Sequence, residues 1–215
     1  MVAQTDLSIQ NLTGDWVVDK SKTKNMDAAL KLQGVGWIRR KAVTSGTITL
    51  KIKQTTGPQG GGEPITRLML QQGLRGIFPG VEQTTTLDWT EHKQVDAVSG
   101  AAIIVRSRFV RGVRDAGGRV RPILDIQTTA AGKRGEIEAY LGTAVSVPPE
   151  DGGGDSHEKA FVQDFIRCPD GGWTAEQIWA VESIGDGLFL TCKAVAAKGS
   201  DTEEASLVYQ YGEQE

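Results

Sequence analysis

The feature that most limits how this chain can fold is the strict alternation of "TITLKIKQTT" (47–56), which recurs in weaker forms along the sequence. Ile48, Leu50 and Ile52 fall on one face and Thr49, Lys51 and Lys53 on the other, the pattern of a half-buried strand. "LTGDWVVD" (12–19) repeats it with Leu12, Trp16 and Val18. Further strands are expected at "ITRLMLQQ", "VEQTTTLDW", "KQVDAV", "AAIIVRSRFV" and "RPILDIQTT". "GEIEAYLGTAV", "EKAFVQDFIRC", "TAEQIWAVES", "LFLTCKAVA" and "EASLVYQY" complete the set. Turn formers such as "LRGIFPG", "DAGG", "PDGG" and "GDG" separate them. About eleven or twelve short strands at regular spacing imply an all-β antiparallel barrel or sandwich. "PPEDGGGD" (148–155) can bury nothing and is expected to be a disordered loop.

One stretch breaks the pattern. "NMDAALKLQGVGWIRRKAV" (25–43) reads as two short helices, the first capped by Asn25 and ended by Gly34, the second ended by Gly46. Met26, Ala29 and Leu30 form one stripe. A helical pair set into a β-rich chain suggests a lid over a cavity.

The composition narrows the function. With 215 residues the chain has enough material for one domain with its own core. A net charge of −3 and a pI near 5.5 give no basic field for nucleic acid. No apolar run is long enough to span a membrane, and the first residues lack a basic and an apolar region of the secretory kind. Cys168 and Cys192 lie in strand-like apolar sequence and are expected to be free thiols, which points to the cytoplasm. His92 and His157 stand apart and no C-x-x-C or H-x-x-x-H occurs, so no metal is expected. "QGGGEP" lacks the Walker lysine of a phosphate cradle, and no G-x-S-x-G is present. No cofactor is expected.

Taken in order, "LTGDWVVDKS", "ALKLQGVGWIRRKAV", "VEQTTTLDWTEHKQVDAV", "GDGLFLTCKAVA" and "EASLVYQY" resemble the intracellular lipid-binding proteins, the fatty-acid-binding type of calycin. The likeness covers residues 12–111 and 173–211, and 112–172 reads as an insertion between barrel strands of a single domain, 1–215. It implies an up-and-down, lipocalin-like antiparallel β-barrel with a helix-turn-helix lid near the N-terminus, and a hydrophobic small-molecule partner. A second resemblance is to fungal barrel proteins with similar "LQGVGW-x-x-R-K" (32–41), "LDW" (87–89), "RSR" (106–108) and "GWTA-x-Q-x-W" (172–179) segments. Members of such groups occur in natural-product pathways and can act as enzymes without a cofactor.

The lipid-binding family holds a ligand carboxylate with two arginines and a tyrosine. Those positions fall here on Val181, Leu207 and Tyr209, so both cations are missing. A buried carboxylate without a paired cation costs several kcal/mol, so the ligand is expected to be apolar and largely neutral. Strand parity sets Trp179 and Gln177 on the face of Val181, and Ile103, Val105, Ser107 and Phe109 on one face of "AAIIVRSRFV", with Arg106 and Arg108 outward. Tyr209, Ser107 and Gln177 are the candidate catalytic hydrogen-bonding groups. Leu50, Ile52, Val105, Phe109, Trp179, Val181 and Leu207 are expected to line the cavity. Met26, Leu30, Trp37 and Ile38 are expected to contact the ligand from the lid, with Arg39, Arg40 and Lys41 outward, where they suit weak contact with an acidic membrane. Two functions fit: a cofactor-independent enzyme promoting a cyclisation, isomerisation or hetero-Diels–Alder-like cycloaddition in fungal natural-product biosynthesis, or a non-catalytic intracellular carrier of a hydrophobic ligand.

Overall fold

The computed structural model describes residues 7–58, 63–148 and 157–212. Ten strands form one antiparallel sheet in the order β4-β3-β2-β1-β12-β11-β10-β9-β6-β5, wrapped into a nearly closed barrel. They are β1 (Gly14–Val18), β2 (Ile48–Gly57), β3 (Ile65–Leu74), β4 (Phe78–Thr86), β5 (His92–Val95) and β6 (Ala102–Val110). After two short strands, β7 (Gly112–Arg114) and β8 (Val120–Pro122), come β9 (Phe161–Cys168), β10 (Trp173–Ile184), β11 (Gly187–Lys198) and β12 (Asp201–Tyr211). The alternation that defined β2 fills the barrel: Ile48, Leu50 and Ile52 are buried, and Lys51 and Lys53 are exposed. In β1, Trp16 is fully buried and meets Tyr211 edge to face at 5.2 Å. Gly14 is required beside it. Its φ is +145°, and a Cβ there would lie 2.4 Å from the Tyr211 hydroxyl.

The helical pair is α1 (Met26–Leu32) and α2 (Trp37–Ser45). Gly34, at φ +82°, ends α1 in a Schellman turn: its N–H donates to Lys31 O and that of Val35 to Leu30 O. Asn25 differs from the capping role expected of it. Its side chain makes no cap, and its amide instead donates to Glu204 O at 2.6 Å, tying α1 to β12. The burial phase of α2 also differs. Val43 is buried, whereas Trp37 and Ile38 are 64% and 77% exposed. Ile38 precedes Val43 by five residues, about 140° around the helix at 3.6 residues per turn. Once Val43 faces the barrel, Ile38 cannot. Arg40, expected outward, donates instead to Asp27 and to Val35 O, and Arg39 to Ser99 O in the β5–β6 turn.

The segment expected as an insertion, 112–172, contains a barrel strand, β9. What lies outside the barrel before it carries β7, β8 and α3 (Arg134–Leu141). Residues 135–145, expected as strand, are helical as far as Leu141: Ile137 and Leu141, four apart, are the buried residues of the helix. "RPILDIQTT" forms strand only in its first two residues, Arg121 and Pro122. The segment packs Val120, Ile126, Ile137 and Leu141 against the outward faces of β9, β10 and β11, where it buries Phe161, Ile178 and Val195. A polar network lies beneath it. Glu176, fully buried, accepts from the backbone N–H groups of Gln127 (2.9 Å) and Thr128 (2.8 Å) and from Gln163 Nε2. Gln163 Oε1 in turn accepts from Arg108 Nε and Nη2, and that guanidinium stacks 4.1 Å over Trp89. Burial holds the Glu176 carboxyl above its ordinary range, against the pull of these hydrogen bonds.

Both cysteines are buried and free. No helix among the described residues is long and apolar enough to cross a membrane. Most of "PPEDGGGD" and all of the "QGGG" run lie outside the described residues.

Candidate active site

Inside the barrel is a cavity of about 170 Å³. Its apolar walls come from Leu50 and Ile52 on β2, Leu68 and Leu70 on β3, and Ile103 and Val105 on β6. Val162 and Ile166 of β9 continue that surface. Into this wall the sheet register sets a polar row: Ser107 of β6 lies opposite Asp164 of β9, and Asp164 opposite Gln177 of β10. Ser107 Oγ donates to Asp164 Oδ1 at 2.5 Å, and Trp179 Nε1 donates to Asp164 Oδ2 at 2.8 Å. All four side chains line the cavity. Burial pushes the Asp164 carboxyl up to about 6, with the Ser107 and Trp179 hydrogen bonds opposing that rise. Such a group changes protonation state close to neutral pH, the property a general acid or base needs. Gln72 and Gln177 also face the cavity, and neither side chain hydrogen-bonds another described residue.

Between β4 and β5 the barrel has no backbone ladder among the described residues. Side chains bridge the gap instead. Gln94 Nε2 donates to Thr84 O at 3.2 Å and to Thr85 Oγ1 at 3.4 Å, and Gln83 Nε2 donates to Val95 O. Gln83, Gln94 and Asp96 border both the cavity and an open groove outside it, so the wall there is one side chain thick. Val81 and Val95, 68% and 60% exposed, flank the groove.

Of the residues expected from sequence, Leu50, Ile52, Val105, Ser107, Gln177 and Trp179 come together around the cavity. Val181, Leu207 and Phe109 pack in the adjoining core and do not line it. Tyr209, expected as the polar anchor, is 2% exposed behind Trp179, with ring centroids 6.2 Å apart. Burial raises its phenol well above the ordinary range, and its hydroxyl bonds no other described residue. Met26 and Leu30 pack on the barrel core, while Trp37 and Ile38 face away from it. Asp164 is absent from the residues expected from sequence, because the expected insertion, 112–172, includes "EKAFVQDFIRC". The available signal was one acid on an otherwise apolar parity, Val162–Asp164–Ile166. Among the described residues no three His, Cys, Asp or Glu side chains gather as a metal site requires.

No family model matches the chain. Its neighbours among solved structures are fatty-acid-binding and bile-acid-binding barrels. Fatty-acid-binding protein 1 of Echinococcus granulosus is 13% identical with a TM-score of 0.49, covering 94% of this chain and 98% of that one. Zebrafish ileal bile acid-binding protein complexed with cholic acid is 10% identical with a TM-score of 0.44, covering 93% and 98%. In sequence, a curated relative, pericyclase pydY of an Acremonium species, is 20% identical over 211 residues, which covers 98% of this chain and 97% of its own length. The chain thus combines an antiparallel barrel and helical pair with end-to-end sequence similarity to a fungal pericyclase.

Proposed function

We propose that this protein is a cofactor-independent enzyme of natural-product biosynthesis that folds a hydrophobic, largely neutral molecule within the barrel and promotes its cyclisation by cycloaddition. The observation that carries this reading is the Ser107–Asp164–Trp179 cluster set into an apolar cavity. The end-to-end similarity to a pericyclase supports it. An intramolecular cycloaddition converts two π bonds into two σ bonds within one molecule, so it needs no external electron, proton or leaving-group acceptor. The protein's part is to hold the reacting ends at a near-attack distance, a contribution worth up to about 7–11 kcal/mol in oriented intramolecular systems. A hydrogen bond to a substrate carbonyl from Gln177, or from Asp164 when protonated, lowers the barrier further by polarising the reacting π system. An apolar space of about 150 Å³ holds one benzene ring, so this cavity suits the ring-forming part of a longer molecule whose remainder extends through the β4–β5 gap.

The test is to incubate the purified protein with a synthetic triene bearing an α,β-unsaturated carbonyl, without added cofactor. The expected result is faster ring closure with one stereoisomer enriched, both weakened in Asp164→Asn. Unchanged rate and product ratio would overturn the enzyme reading and leave the carrier, which the mainly apolar cavity also suits.

A further inference from the structure

We infer that Asp164 makes this cavity selective for ligands that present a hydrogen-bond donor, an amide N–H, a hydroxyl or an amine, and that it turns carboxylate ligands away. The inference rests on the reading that the barrel cavity is where the ligand sits.

Among the described residues, the charged side chains that line the cavity are acidic. Its described lining includes two carboxylates, Asp164 and Asp96, and no Lys, Arg or His. The basic residues of the neighbouring strand point the other way and are engaged there: Arg106 pairs with Glu91 at 2.7 Å, and Arg108 is held by Gln163 and Trp89. A ligand carboxylate would meet a second carboxylate with no cation between them, and two such groups at close range cannot both be ionised. Asp164 itself is an acceptor with capacity left over. An ionised carboxylate offers about four lone-pair sites, and the protein fills one on each oxygen, from the Ser107 hydroxyl and the Trp179 indole. Trp179 Nε1 has no acceptor capacity, so Oδ2 is held in the accepting role. Asp164 lines the cavity, so a donor on a ligand held there completes its remaining acceptor sites. Gln177, next in the row, offers an amide carbonyl and N–H to the same ligand group.

The test uses three ligands of equal chain length, decanoate, decanamide and decylamine, titrated by calorimetry into the wild-type protein and Asp164→Asn at pH 8. Asparagine preserves the shape and can still accept from Trp179, and an unchanged far-ultraviolet circular dichroism spectrum checks the fold. The quantity read is the ratio of the decanoate Kd to the decanamide Kd. Comparing that ratio between the two proteins cancels the intrinsic difference in hydrophobicity between the ligands. The ratio should fall at least about tenfold from wild type to D164N, equivalent to about 1.4 kcal/mol, and decylamine should lose affinity in the variant. A ratio unchanged within about threefold overturns the inference. An absence of binding by all three ligands overturns it together with the ligand-cavity reading. Because the readout is binding alone, selectivity without any acceleration of ring closure would remove only the enzymatic reading.

Discussion

Asp164 and Trp179 are joined across adjacent strands by a 2.8 Å hydrogen bond from the indole N–H to Oδ2, inside a cavity whose other walls are mainly aliphatic. The bond runs along a diagonal of the β9–β10 ladder, where Asp164 is paired with Gln177 and Trp179 with Val162. It stabilises the ionised acid, while burial acts in the opposite sense and prevails, so that the carboxyl sits at about 6.

That balance has a measurable consequence for stability. The folded-state pKa lies above the ordinary 3.8, so the folded protein binds the proton more tightly than the unfolded chain does. The resulting stabilisation is fully present below about pH 4 and is lost as pH rises through about 6. A rise of about two pKa units corresponds to roughly 3 kcal/mol. Urea unfolding at pH 4, 5.5 and 7.5 should therefore show wild type losing stability relative to Asp164→Asn by about that amount, with no further change above pH 7. A pH-independent difference between the two proteins would mean that the carboxyl does not titrate in this window.

The segment outside the barrel is predicted to depend on Glu176. Its carboxylate accepts from the amides of Gln127 and Thr128 and from Gln163. Glu176→Ala leaves the two backbone N–H groups without this acceptor, at about 1–3 kcal/mol for each unsatisfied group, while Gln163 Nε2 keeps its bond to Asp125 O. Denaturation should show a loss of at least about 2 kcal/mol, and hydrogen exchange at Gln127 and Thr128 should accelerate. Exchange in β2 and β3, on the far side of the barrel, should change least. Loss of protection spread evenly over the whole chain would show that the segment and the barrel unfold as one unit.

Ligand exchange is expected to pass between β4 and β5. The bridging amides of Gln83 and Gln94 are side-chain contacts in place of a backbone ladder, and the flanking strands can part there without breaking sheet hydrogen bonds. Gln83→Ala combined with Gln94→Ala should raise both association and dissociation rates of decanamide, read by stopped-flow quenching of tryptophan fluorescence, while Kd stays within about threefold. Unchanged rates would move the route to the helical lid.

The barrel was legible in the sequence where one face of a strand meets solvent, as in β2, because alternation then records both sides of the sheet. Legibility fell where the outer segment covers β9, β10 and β11. Ile178 and Val195 are buried on the outer face, and Val181 and Leu190 on the inner one, so parity no longer separates cavity from surface. The segment 135–145 is ambiguous for a related reason: Ile137, Ala139 and Leu141 satisfy period two, while Ile137 and Leu141 also satisfy a helical repeat. On α2, the strongest apolar residues, Trp37 and Ile38, suggested an inward face. The anchoring of Arg40 to Asp27 and the burial of Val43 set the opposite phase. Parity alone marks Ser107, and parity counted from the family position at Val181 marks Gln177 and Trp179; the acid that links Ser107 and Trp179 requires the pairing of β6 with β9, a contact that spans the outer segment.

The roles of Tyr209 and Trp179 can be separated by removing one polar group from each. Tyr209 packs behind Trp179, and its hydroxyl has no hydrogen bond to another described residue. Tyr209→Phe keeps the ring and its packing, so binding of decanamide should stay within about threefold of wild type. Trp179→Phe removes the N–H that Asp164 accepts as well as part of the cavity wall. The Asp164 carboxyl then loses a stabilising donor and its pKa rises further, so it should be protonated at a higher pH than in wild type. Affinity for decanamide should fall by about tenfold or more, the scale of a lost hydrogen bond to a charged group. Calorimetry across pH 5–9 reads both effects, with the midpoint of the pH dependence moving upward only in Trp179→Phe. A larger loss from Tyr209→Phe than from Trp179→Phe would transfer the polar anchor of the ligand from Asp164 to the phenol.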